Sequence, residues 1–228
     1  MRKTFLFFAL ATFTLSTTSC SRDNDEPAVE NYSISPNEVN IKYDKTQQFT
    51  VRNGSSSIAG TEFTWKSSDE KRGTVNNSGL LTANKVGTFQ VTATKNGKTT
   101  TANVTISPYQ NFFKEPIMGF GKTKAEIKAA ETRQLQNETA TGLAYKGENN
   151  DILNIGYTFD SSGKMTSAIA IFPSNTTSVT NTTTYYKERY LVLDNQNGTI
   201  MMKDLDNPIF MGMSVNPTLG FNVIYTKQ

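Results

Sequence analysis

The feature that most constrains the fold is a repeated alternation of apolar and polar residues between positions 46 and 107. In the run TQQFTVRNG, Phe49 and Val51 fall on one side of an extended chain, and the polar residues fall on the other. Similar runs recur roughly every ten residues, separated by turn-forming dipeptides such as Asn96-Gly97. Because side chains of a strand alternate between its two faces, this pattern predicts an antiparallel all-β sandwich.

Two residue types that often carry chemistry are nearly missing. Histidine is absent from all 228 residues, and cysteine occurs once, as Cys20. Without histidine, the chain lacks the commonest general base and the commonest transition-metal ligand, which excludes Ser-His-Asp, Cys-His and histidine-based zinc sites. One cysteine cannot form an intrachain disulfide, so the folded part depends on its hydrophobic cores. The sequence therefore predicts no enzyme and no metal or cofactor site.

The N-terminus has the layout of a secretory signal peptide. Arg2 and Lys3 precede an apolar run over residues 4–15, and small residues then lead to Cys20. This run is shorter than the ~20 apolar residues with which a helix crosses a bilayer. We therefore predict a signal peptide over residues 1–19 and a soluble remainder.

The small residues that end at Cys20 resemble the signal of a bacterial lipoprotein, in which the cysteine becomes the N-terminus and carries acyl chains. The following SRDNDE, residues 21–26, resembles the signal that exports Bacteroidetes lipoproteins to the outer face of the outer membrane. The resemblance implies lipidation of Cys20, an acidic tether over residues 20–30 and exposure on the cell surface. The alternative is an ordinary secreted protein in which Cys20 lies near the cleavage site by chance.

The run FTWKSSDEKRGTVNNSGLLTANKVGTFQVTAT, residues 63–94, resembles the bacterial immunoglobulin-like domain of group 2, known from intimins and many surface proteins. The matching elements are Trp65 with Ser67-Ser68-Asp69, Thr74-Val75, Ser78-Gly79-Leu80 and Gly87-Thr88. The resemblance covers residues 31–107 and implies a spacer or adhesive module without catalytic residues. Trp65 shares its predicted face with Phe63, which favours a core role over a sugar-stacking role.

A second domain, over residues 108–228, is predicted to be α+β. Thr123 and Glu126 form a T-x-x-E capping box before a run with helical spacing, and three alternating runs follow. A second run with helical spacing, capped near Ser174 or Asn175, precedes three more strand candidates. The pattern predicts tandem helix–three-strand units, with an antiparallel sheet carrying both helices on one face. Its opening, FFKEPIMGFGKTKAEIKAA, resembles a domain common in Bacteroidetes surface lipoproteins of unknown function.

Three tyrosines on or beside the second predicted helix are the candidate ligand contacts: Tyr185, Tyr186 and Tyr190. Tyrosine supplies contact area and a hydroxyl at low entropy cost, which suits glycan or protein binding. The alternative is that they lie in the core or at its boundary. Asp204 and Asp206 could offer oxygen to Ca²⁺, but they supply too few donors for a loop site, which favours a turn.

The chain carries 23 basic and 20 acidic residues without a basic block, which argues against nucleic acid as a partner. The sequence thus predicts an outer-membrane lipoprotein whose Ig-like stalk presents a C-terminal domain that binds a surface glycan or a protein. The alternative is a structural or assembly accessory of the outer membrane that interacts with other envelope proteins. We also expect the two domains to unfold as separate transitions.

Overall fold

The computed structural model describes residues 30–228. The predicted signal peptide over residues 1–19 and the lipidation candidate Cys20 lie outside these residues, as does the tether apart from its last position. Strands make up 53% and helices 11% of these described residues, so their fold is mostly β. Within the part described, no helix is long and apolar enough to cross a membrane.

Between residues 30 and 107 the structure has ten strands in three sheets. The strands are β1 Tyr32–Ser35, β2 Glu38–Lys42, β3 Thr46–Gln48, β4 Thr50–Asn53, β5 Ser56–Ile58, β6 Thr64–Ser67, β7 Gly73–Val75, β8 Leu80–Ala83, β9 Gly87–Lys95 and β10 Lys98–Ser107. A one-turn 3₁₀ helix at Gly60–Glu62 lies between β5 and β6. The sheet orders are β2-β10-β9-β6, β1-β4-β5 and β3-β8-β7, and β2 with β10 is a parallel pair.

The alternation seen in the sequence becomes the core of this region. Val91 and Ala93 of β9 are fully buried, and Ala102 of β10 lies directly opposite Val91. The turn between the two strands places Asn96 at φ 51° and Gly97 at φ 74°. Two successive positive φ values are what a two-residue hairpin needs to match the twist of its strands, so this dipeptide sets the register of β9 on β10.

Trp65 is a core residue of the same region, with 8% of its surface exposed. Its indole Nε1 donates a hydrogen bond of 2.8 Å to the carbonyl oxygen of Gly60, and its ring stacks on Phe49 at 6.0 Å between centroids. Gly79 lies against the indole: a Cβ there would be 2.6 Å from Cζ2 of Trp65. The hydrogen bond and the close packing leave no ring face for a sugar.

Residues 124–227 form two helices and one eight-stranded sheet. The elements are α1 Lys124–Ala130, β11 Leu135–Glu138, β12 Gly142–Asn149, β13 Ile152–Phe159, β14 Met165–Phe172, α2 Thr176–Lys187, β15 Leu191–Gln196, β16 Thr199–Lys203, β17 Ile209–Asn216 and β18 Gly220–Lys227. The sheet order is β11-β12-β13-β14-β18-β17-β16-β15, and every neighbouring pair is antiparallel. The two halves of this region, one with each helix, therefore meet where β14 pairs with β18.

Each helix is followed by four strands, one more than the sequence pattern indicates. The additional strands, β11 and β15, are the two edges of the sheet. All four residues of β11 are exposed, and Leu191, Val192 and Leu193 of β15 are exposed as well. An edge strand has neither a second neighbour nor a fully buried face, so its sequence loses the period-two signal. The region is therefore sheet-rich and not a clear α+β domain.

Both helices begin at side-chain caps. The Thr123 hydroxyl accepts a hydrogen bond from the backbone N–H of Glu126, whose carboxylate accepts one of 2.8 Å from the Thr123 N–H, as the capping box predicts. At α2, the Asn175 side chain accepts a hydrogen bond of 2.9 Å from the Ser178 N–H. Buried residues of α1 and α2 pack into one core with the same alternate residues of the sheet, so both helices lie on one face.

The two regions have separate hydrophobic cores. The segment that connects the regions, at Tyr109 and Gln110, is fixed by hydrogen bonds to Glu188. The Glu188 side chain is fully buried, and its oxygens accept hydrogen bonds from the backbone N–H groups of Tyr109, at 2.7 Å, and Gln110, at 3.1 Å. Arg189 forms an ion pair with it at 2.6 Å. The Glu188 carbonyl oxygen also accepts a 2.8 Å hydrogen bond from the N–H of Val86. The joint is therefore ordered by specific hydrogen bonds.

Candidate functional site

The structure places the three candidate tyrosines in the core of the C-terminal region. Tyr185, Tyr186 and Tyr190 are 5%, 0% and 8% exposed. Most other residues of α2 are threonine, serine or asparagine, so the tyrosine rings supply the apolar area that fixes the helix to the sheet. This corrects the sequence-based site: these rings are packing residues and present no surface to a ligand.

The hydroxyl groups of Tyr186 and Tyr190 belong to a buried polar cluster with Glu115 and Tyr225. The Tyr190 hydroxyl lies 2.6 and 2.7 Å from the two carboxylate oxygens of Glu115, and the Tyr186 and Tyr225 hydroxyls hydrogen-bond to each other. Burial raises the pKa of Glu115, and the hydrogen bond from Tyr190 opposes this rise. Because these groups satisfy one another inside the core, the cluster stabilises the packing of α2 on β18.

Asp204 and Asp206 lie in a turn after β16, and each side chain accepts hydrogen bonds from neighbouring residues. Oδ1 of Asp204 accepts hydrogen bonds from the backbone N–H groups of Asp206, at 2.9 Å, and Asn207, at 2.6 Å. Asp206 accepts a hydrogen bond from the Arg72 guanidinium of the N-terminal region. In residues 30–228 there is no group of three or more acidic, histidine or cysteine side chains that could hold a metal ion.

The eight-stranded sheet has one buried face and one accessible face. Cross-strand neighbours on the helix side are all buried: Leu143, Tyr157, Ala168, Tyr225, Met211 and Met202. The next row along the strands runs across all eight: Asn137, Ala144, Gly156, Ile169, Ile224, Gly212, Met201 and Asp194. Each residue of this second row is half-buried or exposed.

A further row on the accessible side contains Gly142, Thr158, Ser167, Thr226, Phe210, Lys203 and Leu191. None of these residues is buried. We call these two rows the open face. The open face consists largely of aliphatic side chains and of threonine and serine hydroxyl groups, and Phe210 is the one aromatic residue among its 15 positions. Ile224 is 39% exposed and Met201 is 38% exposed.

Glycines shape the open face. At Gly156 a Cβ would lie 2.8 Å from Cγ2 of Ile169, so the isoleucine side chain covers the glycine backbone. At Gly212 the nearest atoms to a Cβ include the Met201 sulfur, at 3.6 Å. A cavity of about 230 Å³ opens on this side; its lining includes Asn137, Ala144, Gly156, Thr158 and Ile169. The face therefore combines flat aliphatic contact area with a shallow recess.

A second depression, of about 310 Å³, lies where the N-terminal region meets β15 and β16. Its lining residues are Lys71, Lys85, Leu191, Lys203, Asp204 and Leu205, and we call it the lysine cleft. The Lys85 ammonium donates a 2.5 Å hydrogen bond to the Lys187 carbonyl oxygen and lies 5.6 Å from the Tyr43 ring centroid. Burial lowers the pKa of Lys85, because the charged ammonium loses water contact.

Sequence reasoning missed both surfaces for different reasons. The open face had a readable signal, because Ile169 stands at an outward position of a strand whose inward positions are also apolar. The lysine cleft had no such signal. Lys71, Lys85 and Lys203 come from two regions of the chain, and only the docking of these regions brings them together.

Comparison with known proteins identifies the first region. The family of bacterial Ig-like domains of group 2 matches residues 28–106, so this part of the chain is a bacterial Ig-like domain. The Ig-like domain expected from the sequence is thereby confirmed within residues 28–106. No curated protein matches the chain.

Several solved structures show distant similarity. Domains 5–6 of the S-layer protein SbsC share 12% identity at a TM-score of 0.29, over 87% of this chain and 84% of that one. The lipoprotein BT2262 from Bacteroides thetaiotaomicron shares 10% identity at 0.22, over 86% and 100%. A titin fragment shares 12% identity at 0.21, over 87% and 95%. Scores this low establish no common fold over the whole chain.

Proposed function

We propose that this protein is a non-catalytic, lipid-anchored cell-surface protein whose Ig-like domain is a stalk and whose open face binds a protein partner. The observation that carries the proposal is the cross-strand row of the open face that begins at Asn137 on β11 and ends at Asp194 on β15. This row crosses all eight strands, and its members Ile224 and Met201 are exposed. Exposed aliphatic area of this kind on a sheet is typical of an interaction surface.

Residue chemistry favours a protein over a glycan as the ligand. Sugar-binding surfaces use exposed aromatic rings, but the tyrosines of α2 are buried and Trp65 is in the core of the Ig-like domain. The open face offers isoleucine, methionine, threonine and serine, which pack against apolar side chains and form hydrogen bonds with backbone groups. A protein partner also suits the alternative role of an assembly accessory, and the partner's identity separates the two roles.

Membrane attachment is the second part of the proposal. Cys20 and the acidic residues after it support it through their resemblance to lipoprotein signals. Several acyl chains hold a protein stably at a membrane, and the tether over residues 20–30 would separate the Ig-like domain from the lipid. The open face would then be presented by the last region of the chain.

The experiment compares two arginine variants of the full chain. Ile224→Arg places a charge on the open face, whereas Val215→Arg places one at a 67% exposed position of β17 outside the two open-face rows. In one assay, each variant and the unmodified protein are immobilised and incubated with an outer-membrane extract. In a second assay, the same three proteins are applied in solution to a polysaccharide array. We expect a protein that the unmodified chain and V215R retain and I224R loses. Retention on a glycan that I224R does not affect would contradict the proposal.

A further inference from the structure

The lysine cleft carries more positive charge than its surroundings neutralise. Of its three lysines, Lys71 has a carboxylate oxygen at 3.8 Å, from Asp206. Lys85 and Lys203 form no ion pair within residues 30–228, and their ammonium groups contact a carbonyl oxygen and aromatic rings instead. Carbonyl oxygens and ring faces attract an ammonium group without cancelling its charge.

The carboxylates beside the cleft cancel part of this positive charge. Asp204 has Oδ1 bonded to two backbone N–H groups and the side-chain amide of its own turn. The Asp206 carboxylate is shared between Arg72, whose guanidinium also binds Asp69, and Lys71. Around the cleft, four cationic side chains (Lys71, Arg72, Lys85 and Lys203) therefore stand against three carboxylates (Asp69, Asp204 and Asp206), which leaves a net positive charge.

The walls and the size of the cleft limit what it can accept. Leu191 and Leu205 provide apolar walls, and the volume of about 310 Å³ admits a side chain or a single small group. The partial burial that lowers the pKa of Lys85 also weakens screening by water, so an anion gains more there than at an exposed lysine.

From these contacts we infer that the lysine cleft binds a carboxylate side chain, aspartate or glutamate, of the polypeptide that covers the open face. Lys203 links the two surfaces, because it belongs to an open-face row opposite Phe210 and also lines the cleft. A polypeptide lying on the open face would therefore reach the cleft at the β15–β16 edge. This inference rests on the proposed function and adds an acidic residue to the partner's required chemistry.

The test uses the full chain, purified in detergent, and a hexaglutamate peptide with blocked ends. Calorimetric titration measures its Kd for the unmodified protein, for Lys85→Gln with Lys203→Gln, and for Lys66→Gln with Lys122→Gln. Lys66 and Lys122 are exposed lysines outside the cleft, so the second double variant has the same net charge as the first. A hexamer of galacturonic acid is titrated in parallel as a carboxylate on a sugar.

We expect hexaglutamate to bind the unmodified protein, the cleft variant to lose at least about tenfold in affinity, and the control to change less than about twofold. Equal losses in both variants, or no binding to the unmodified protein, would overturn the inference. Tighter binding of the galacturonate hexamer would also overturn it, in favour of an acidic glycan.

A second measurement does not depend on how the variants fold. Hexaglutamate should protect Lys85 and Lys203 of the unmodified protein from acetylation by acetic anhydride, as measured by mass spectrometry, and should leave Lys66 and Lys122 unprotected. Uniform protection of all four lysines would contradict a specific site. If hexaglutamate fails while I224R still abolishes partner retention, the proposed function stands and the cleft inference alone is wrong.

Discussion

The Glu188 carboxylate accepts a 2.7 Å hydrogen bond from the backbone N–H of Tyr109, so the end of α2 holds the chain segment between the two cores. The backbone carbonyl oxygen of Glu188 accepts a hydrogen bond from the N–H of Val86, which connects the Ig-like domain to the end of α2. Because the side chain is fully buried and paired with Arg189, removing its charge leaves the half-buried guanidinium of Arg189 without its carboxylate partner.

The joint predicts coupled unfolding, in contrast to the separate transitions expected from the sequence. Trp65 is the only tryptophan, so its fluorescence reports on the Ig-like domain alone, while circular dichroism reports on both regions. We expect urea transitions from the two probes to coincide for the unmodified protein and to separate for Glu188→Gln. The substitution should cost about 1–3 kcal/mol. Two separate transitions in the unmodified protein would show that the joint does not couple the regions.

Gly79 of the Ig-like domain should tolerate no side chain. Gly79→Ala places a methyl group 2.6 Å from the Trp65 ring at a φ of +81°, combining a steric clash with an unfavourable backbone conformation. We expect a loss of about 2–4 kcal/mol in unfolding free energy, measured by denaturation in urea. Gly97→Ala is the matched control, because its φ is +74° but a Cβ there meets no atom within 4 Å. Its cost should be about 1 kcal/mol, and equal costs would contradict the packing argument.

Glu131 and Arg133 form a buried ion pair of 3.0 Å, with side chains 1% and 4% exposed. Burial disfavours the Glu131 carboxylate, but hydrogen bonds from Tyr157 and the Arg133 backbone outweigh burial, and its pKa is lowered. A lowered pKa contributes stability that is present above the unfolded-state pKa and lost as pH falls through the folded-state pKa. Glu131→Gln should therefore cost about 3 kcal/mol at pH 7 and progressively less in acid. A cost that is independent of pH would contradict this assignment.

Glu115 should show the opposite pH dependence. Burial raises its pKa, so its contribution to stability is present below the unfolded-state pKa and lost as pH rises through the folded-state pKa. Glu115→Gln should therefore reduce the fall in unfolding free energy between about pH 4.5 and pH 7 while keeping an acceptor for the Tyr190 hydroxyl. Unfolding free energies across this range, compared with the unmodified protein, provide the measurement. An unchanged slope would show that Glu115 ionises in the folded state without cost.

Membrane attachment has its own test. Cys20→Ser removes the proposed acylation site and should move the protein from the membrane fraction to the soluble or secreted fraction. Cell fractionation with metabolic labelling by a radioactive fatty acid measures both location and lipid content. Ser19→Ala is the control, since it keeps a small residue before the cysteine. Labelling that persists in C20S would contradict acylation at this residue.

The parts of the fold that could be predicted are those that depend only on residues close together in the sequence. The hairpin at Asn96-Gly97 and the capping box of Thr123 and Glu126 each depend on neighbouring residues, and the structure shows both. The edge strands β11 and β15 were missed because exposed edges lose the alternation that identifies a strand.

The functional surfaces were harder to predict because they depend on tertiary structure. The sequence places Tyr186 on a helix but does not show which face of that helix packs on the sheet. In the structure Tyr186 lies on the packed face and is fully buried. The open face needs the register of eight strands, and the lysine cleft needs two regions to dock. Such relationships carry no fixed spacing in the sequence.

The most direct test of the central claim is site-specific photo-crosslinking in intact cells. Benzoylphenylalanine is introduced at Ile224, on the open face, and at Thr64, an exposed position of β6 in the Ig-like domain. We expect one discrete protein adduct from position 224 and none of that mass from position 64. Identical adducts from both positions, or none from 224 alongside capture of a glycan, would contradict binding of a protein on the open face.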